Sequence, residues 1–498
     1  MGNLSIKNFI GTIFLILLSA TFSMAANYSD LTSTHLPMIL DSSSEAVTSD
    51  FDNDGDNDIF VANYGEDKLL INNGTGYFTD ETGARLPADI DDSRGAAAGD
   101  ANGDGYTDIF VANNGQNRLL LNDGTGHFSD VTATWLPSGS EFYSSGAFGD
   151  IDGDGDMDLI VSVSGISKSI KIFVNDNETK FIDQTSTRLP SDTSHYTQKV
   201  ILADFDRDGD LDIFTVNSLN NSNKLLINDG TGMFTEDATG IIPPDTNSSN
   251  SAAIADINGD GLIDYIFIAN DGGQRNRLYI YNTSTAKFED KTTANLPVDN
   301  DYSFDCAFGD LDSDGDLDVV VANGKDAGQA NKVYLNNGGG VFAFASSSFF
   351  PADSDFSTGV IIAGFDSVPG NEVFVTNYFE QRNRLYSTGE VPSAITLSSF
   401  TAKEKNRKVI IRWKTETEID NLGFNILRSE TEGEGYVKIN KKLISAKGTS
   451  TKGAKYKFID KNVKSGRTYF YKLEDIDSSR VSTLNDPISL TMSNRKKK

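Results

Sequence analysis

One cysteine and three histidines in 498 residues leave little room for several kinds of chemistry. The lone thiol, Cys306, excludes an internal disulfide, so any stapling must come from elsewhere. It stands where other copies of a repeat place small residues such as Ala96, which reads as a buried position on an inner strand. Neither His35 nor His127 has a partnered nucleophile or a zinc-type cluster around it. Beyond residues 10–20 no run is long and apolar enough to span a bilayer. Basic residues are scarce through residue 391, with 20 Lys and Arg against 60 Asp and Glu, a net of −40. That balance argues against nucleic acid as a partner. Residues 392–498 reverse it, with 23 basic against 12 acidic residues, a net of +11.

What the chain has in excess is one loop. Asp150-Ile-Asp-Gly-Asp-Gly-Asp-Met-Asp158 carries carboxylates at positions 1, 3, 5, 7 and 9 and glycine at position 6. So many negative charges in so short a stretch repel one another unless a cation sits among them. Oxygen ligands at every second residue and a glycine for the sharp turn suit calcium, with position 7 giving its backbone carbonyl. Such loops begin at Asp50, Asp100, Asp150, Asp204, Asp256 and Asp310, at spacings of 50, 50, 54, 52 and 54. Another 54 residues on, Gly364 to Glu372 holds the same place without the carboxylates of positions 1 and 5. The count is seven repeats and six metal loops. Of the 60 acids, 26 lie in those six loops, so the acidity is mostly a metal-site signature.

Each repeat reads as four short strands. In one copy these are Ser93–Gly99, Asp108–Asn113, Arg118–Asn122 and a fourth from His127 to Thr132, with the hairpin signal Asp123-Gly-Thr-Gly126 before it. Four antiparallel strands in about 52 residues make one blade of a β-propeller. Residues 28–37 copy the fourth-strand text of later repeats, and the seventh repeat stops after its third strand near Arg384–Tyr386. The N-terminal strand is therefore expected to complete the last blade and close the ring.

The remaining boundaries follow from composition. Lys7, the apolar residues 10–20 and Ser23-Met-Ala25 read as a secretory signal over residues 1–25, which leaves no integral membrane segment after cleavage. The propeller is assigned residues 26–391. Alternating strands at Val409–Trp413, Gly423–Leu427, Lys455–Ile459 and Thr468–Leu473 make a small β-sandwich of 392–491, and 492–498 is a basic tail. The fold class expected is all-β, a seven-bladed propeller followed by a sandwich.

EF-hand loops begin alike but need a carboxylate at position 12 between helices. Here position 12 is Val61, Val111, Val161, Thr215, Phe267 or Val321, each in a strand. The loops, with Ala147-Phe-Gly149 and Ala307-Phe-Gly309 before them, instead resemble the FG-GAP (VCBS-type) repeat family, which includes the integrin α-chain head. The resemblance covers about residues 28–390. It implies structural calcium, about six ions, in the loops between first and second strands. Carried over position by position, the ligands are Asp50, Asp52, Asp54, Asp56 and Asp58; Asp100, Asn102, Asp104, Tyr106 and Asp108; Asp150, Asp152, Asp154, Asp156 and Asp158; Asp204, Asp206, Asp208, Asp210 and Asp212; Asp256, Asn258, Asp260, Leu262 and Asp264; and Asp310, Asp312, Asp314, Asp316 and Asp318. Asn102 and Asn258 keep an oxygen but lower the charge. Trp413, Tyr469 and Tyr471 give the C-terminal part a resemblance to fibronectin type III domains.

Paired carboxylates abound, but the metal loops explain them, and no catalytic constellation is expected. Eight residues before each acidic loop stand Ser42, Asp92, Phe142, Tyr196, Ser248, Tyr302 and Phe356. With Tyr143, His195, Tyr64 and Tyr378 these aromatics form a candidate ligand face away from the metal, though each ring could equally pack its own loop. The reading is an exported recognition or adhesion module for extracellular protein or polysaccharide, periplasmic, released or surface-held. The alternatives are a polysaccharide lyase or hydrolase on a propeller, or a purely structural surface protein. Calcium affinity is expected at about 10⁻⁴–10⁻³ M per site, the range of extracellular modules. Chelation should lower the melting temperature markedly; an unchanged melting curve after calcium is stripped would remove the site assignment.

Overall fold

The computed structural model describes residues 27–494 apart from 165–168, 191–195, 325–328, 367–370, 389–394, 419–420, 432–434, 449–451, 478–481 and 486. The assigned signal segment, the junction near 391 and the tail from Arg495 lie outside these residues. No helix among them is long and apolar enough to cross a membrane.

One antiparallel order of four strands recurs in seven sheets. The first sheet is Ser43–Ser49, Asp58–Asn63, Lys68–Asn72 and Phe78–Asp80. In the last sheet Ser357–Ala363, Glu372–Asn377 and Arg384–Ser387 are joined by Ser29–Asp30 from the other end of the chain, with Ser29 opposite Ser387 and Asp30 opposite Tyr386. Arg384 Nη1 adds an ion pair to Asp30 Oδ2 at 3.0 Å.

Second strands such as Ile59-Phe-Val-Ala62 have no polar alternation because both faces are covered, and every residue of all seven is buried. The apolar core lies between sheets. Phe60 and Ala62 meet Ala96 and Ile109 of the next sheet, and Phe374 and Leu385 of the last sheet meet Ile59 and Leu70 of the first. First strands pack on one another in sequence order, and Ser43–Ser49 touches both Ser93–Gly99 and Ser357–Ala363. An all-β chain of repeated four-stranded sheets arranged in this way fits a β-propeller.

Fourth strands are shorter than the sequence pattern suggests. Phe128–Asp130 is followed by a helical turn, Thr132–Trp135, and four other repeats do the same. Asp130 Oδ1 accepts the Thr132 N–H at 2.9 Å, while Thr132 Oγ1 accepts the Leu119 N–H at 3.0 Å. This side-chain turn diverts the backbone from the ladder.

Every first strand carries a bulge, at Ser44, Arg94, Ser144, Gln198, Asn250, Phe304 and Thr358. A bulge lets two successive side chains face the same way, and here both face the centre of the ring. Three ionic side chains meet there. Lys199 Nζ lies 3.2 Å from Glu45 Oε1 and 3.2 Å from Asp305 Oδ1, linking three different sheets. At Gly95 a Cβ would meet Ser144 O at 2.4 Å and Glu45 Oε2 at 2.8 Å, so glycine makes the room Glu45 needs.

The C-terminal residues form two further sheets around one core. Ile395–Lys405, Lys408–Glu418 and Lys455–Asp460 make one; Asn421–Ser429 and Thr468–Asp477 lead the other. Trp413 stacks on Tyr456 at 5.0 Å and meets Phe424 edge-on at 5.4 Å, with Tyr469 and Tyr471 in the same core.

Lys199→Met would leave Glu45 and Asp305 facing each other without their cation. The side chains of Glu45, Lys199 and Asp305 keep 18, 26 and 9% exposure, which screens them partly. The expected loss is therefore about 2–3 kcal/mol, below the ~3–5 kcal/mol of a fully buried broken pair. A urea midpoint unchanged from the parent protein would show that the triad does not hold the ring.

Candidate metal centres and the channel mouth

The acidic loops join first to second strands at one end of the ring. Glycine at position 6 has φ between +84° and +103° in all six, a conformation that L side chains rarely adopt. Position 4 is left-handed as well, at Asn53, Gly103, Gly153, Arg207, Gly259 and Ser313. These turns aim the backbone N–H groups inward. The N–H of position 6 donates to the position 1 carboxylate at 2.6–3.2 Å in every loop. The N–H of position 7 donates to the position 5 carboxylate at 2.9–3.1 Å.

Carboxylate oxygens of positions 1, 3 and 9 converge to within 4.8 Å in four loops: Asp50, Asp52 and Asp58; Asp150, Asp152 and Asp158; Asp204, Asp206 and Asp212; Asp310, Asp312 and Asp318. Asp52, Asp152 and Asp312 each turn a buried Oδ1 without a hydrogen-bond partner. A clustered, orphaned, hard oxygen is what a bound cation satisfies, so these residues fit a divalent metal. The position 5 carboxylates, Asp54, Asp104, Asp154, Asp208, Asp260 and Asp314, stand at the exposed rim. At position 7 the side chains of Asp56, Tyr106, Asp210 and Asp316 crowd a glycine of the following hairpin, so only their carbonyls remain for an ion.

Two loops differ. Asn102 Nδ2 donates to Asp104 Oδ2 at 2.9 Å, and Asn258 Nδ2 donates to Asp264 Oδ2 at 2.7 Å. Asp264 Oδ1 also accepts from Arg207 Nη2 at 3.2 Å, so in the fifth loop an arginine reaches position 9, whereas Arg85 and Arg188 meet position 3 of the first and third loops. In the seventh loop Glu372 accepts the Phe365 N–H at 2.6 Å and the Ser387 hydroxyl at 3.1 Å, and no cluster of three carboxylates forms among the described residues.

Position 9 is the most enclosed. Asp58, Asp108, Asp158, Asp212 and Asp318 are fully buried. One oxygen accepts the N–H of position 2, the other the N–H of Asn72, Asn122, Asn175, Asn228 or Asn336 on the third strand at 2.7–2.9 Å. Burial pushes the carboxyls of Asp58, Asp108, Asp158 and Asp318 up to about 7 and that of Asp212 to about 6.

The other end of the ring opens into a cavity of about 340 Å³. Of the aromatic candidates, Phe142, Phe356 and Tyr378 line it. Tyr64 stands outside it at 57% exposure, and Tyr196 and Tyr302 are half-buried in their own loops. Tyr143 belongs to the core instead, 1% exposed. The residue at its place in most repeats is a Ser or Thr bonded to an Asn, as Thr197 donates to Asn217 at 2.8 Å. In this repeat Val163 replaces the Asn and the tyrosine fills the space, its hydroxyl donating to Glu141 Oε2 at 2.6 Å. His195 lies outside the described residues. The wall includes Phe304 and Phe379, which aromatic spacing missed, and the floor is built by the bulge residues and those after them. Counting six and five residues back from each acidic loop would have found that floor.

Repeated β-sheets with an acidic loop at the same corner of six of them, four of which bring together carboxylates that fit a metal, define a repeat protein of the β-propeller class. The chain belongs to the FG-GAP-like repeat family, whose model matches residues 50–111, 100–161, 160–215, 204–267, 256–321 and 310–367. No curated protein matches the chain. Among solved structures it is similar to an Agrocybe aegerita lectin that recognises non-reducing terminal N-acetylglucosamine, at 15% identity over 66% of this chain and 81% of that one, TM-score 0.40. A Lactobacillus plantarum protein is similar at 14% identity over 61% of this chain and 84% of that one, TM-score 0.41. An Fn3-like protein from Clostridium thermocellum is similar at 17% identity over 21% of this chain and 100% of that one, TM-score 0.15. At these scores they carry no functional argument.

The raised position 9 carboxyls set the sign of a pH effect. Between their folded values, about 6 to 7, and the ordinary 3.8, the folded metal-free chain holds protons that the unfolded chain has released. Stability conferred by these groups therefore falls as pH rises through that window. In EDTA the melting temperature should be lower at about pH 8 than at about pH 5.5. Millimolar calcium should close or invert that difference. A melting temperature in EDTA that climbs over the same interval would contradict the burial of these acids.

Proposed function

We propose that this protein is a calcium-stabilised, seven-bladed propeller with a fibronectin type III-like module, exported and serving recognition or adhesion outside the cell. The seven sheets would be its blades and the acidic loops its calcium sites, with positions 1, 3, 5 and 9 giving carboxylate or amide oxygens and position 7 a carbonyl. Calcium there would neutralise charge and fix loops. The observation that carries the binding role is the arrangement of the ring's two ends. One end is committed to acidic loops; the other holds an open cavity walled by aromatic rings. The chain would act without catalysis, because the cations at the mouth, Lys199 and Arg94, are each held by carboxylates. Partners would be an extracellular protein or polysaccharide.

A glycan and protein array probed with the calcium-loaded protein, then after EDTA, tests this. Selective binding that weakens on chelation is expected. No binding by folded, calcium-loaded protein, or turnover of a polysaccharide, would overturn it.

A further inference from the structure

Building on that recognition role, we propose that the channel mouth binds an uncharged pyranose, the terminal sugar of a neutral glycan. The cavity's volume falls in the range of small-molecule sites. One wall is a continuous aromatic surface. Phe356 lies 5.1 Å from Phe304 and 5.1 Å from Phe379, which in turn lies 4.9 Å from Tyr378. Phe379 is 57% exposed and sits in a left-handed turn, φ +59°, that holds its ring outward beside the mouth. Such a wall suits the C–H face of a sugar ring.

The floor decides the charge of the ligand. Glu45 spends one oxygen on Lys199 and the other on the Ala96 N–H at 3.3 Å. Asp305 Oδ1 takes Lys199 and the Ser251 hydroxyl, and Oδ2 takes the Val360 N–H at 3.0 Å. Arg94 is held by Asp92 and lies 5.2 Å over the Phe142 ring. Every charged side chain here already has a protein partner, with two carboxylates sharing the one lysine, so none stands free to pair with an ionic ligand. The amides are different. Gln198 donates to Ser164 and Ser218, and Asn250 donates to Ser303 O, but Gln198 Oε1 and Asn250 Oδ1 accept no hydrogen bond from described residues. They are open acceptors, which call for hydroxyl donors opposite an apolar face. A neutral pyranose supplies both.

Saturation-transfer NMR on the full, calcium-loaded protein tests the assignment. The probes are methyl glycosides of glucose, galactose, mannose and N-acetylglucosamine, with methyl glucuronide and choline as charged comparators. At least one neutral glycoside should bind, and both comparators should not. Phe379→Ala, at an exposed site, should weaken that glycoside about tenfold, and Asn250→Leu should weaken it several-fold, with melting temperatures near that of the parent. Failure of every neutral glycoside, or preference for a charged comparator, overturns the proposal. Glycoside binding indifferent to both substitutions also overturns it, while leaving the recognition role standing at another surface. Loss of all array binding would strike the recognition role itself.

Discussion

A carboxylate with no access to water, placed at the start of five of the seven second strands, is the constraint on which the ring depends. Asp58 illustrates it. One oxygen pins the N–H of Phe51, so the acidic loop is folded back on its own strand. The other pins the N–H of Asn72 on the third strand. The Asn72 amide then reaches the neighbouring sheet and donates to Phe365 O at 2.8 Å. Asn122, Asn175 and Asn228 repeat this, donating to Phe51 O, Ala101 O and Ile151 O of the preceding loop. Four of the seams between sheets are thus tied to the loop beside them. An ion that relieves the charge in one loop also supports the contact between two sheets.

That coupling explains why charge and apolar packing occur so close together. The buried second strand begins directly with the acid, and the core clusters on either side straddle the same seams. Two arginines extend the link. Arg85 bridges Asp52 of its own loop to Thr125 O of the next hairpin, and Arg188 does the same between Asp152 and Thr231 O. His35 occupies the equivalent place at the closing seam and stacks on Tyr77 at 3.8 Å, replacing an ionic latch with a ring contact. Burial lowers its imidazole to about 4, so it stays neutral there.

Much of this was legible because the period is rigid. The acidic loops, their register and the first three strands of a repeat could be read from spacing and from runs such as Asp108–Asn113. The helical turn after the fourth strand was hidden because Asp130 and Thr132 act through side-chain hydrogen bonds, which propensity does not register. Left-handed position 4 was hidden because Asn53, Arg207 and Ser313 share it with glycine. The floor of the mouth was hidden for a similar reason. A bulge changes which side chains face inward without changing the sequence period, so nothing in that period marks Lys199 and Asp305 as inward-facing. In the C-terminal part the strand Ile395–Lys405 was missed, since its pairing with Lys408–Glu418 depends on a tight turn at Asn406 and Arg407, both at positive φ, and no glycine announces it.

The departures among the loops follow from the same constraint. Where position 3 is asparagine, its amide turns toward a carboxylate, easing part of the repulsion without an ion. In the fifth loop Arg207 reaches across from the preceding sheet and brings a full positive charge to Asp264, while its guanidinium lies 3.6 Å over the Tyr281 ring. In the seventh, Glu372 stays buried at position 9, and burial pushes its carboxyl up to about 7, so it can remain neutral with only hydrogen bonds for company. The negative charge at a loop's centre is thus met by a protein cation, an amide or a retained proton wherever the full set of carboxylates is missing. Of the four intact clusters, those at Asp50 and Asp150 already carry Arg85 and Arg188 on position 3, so on electrostatic grounds the clusters at Asp204 and Asp310, with no such ion pair among the described residues, would hold a cation most tightly.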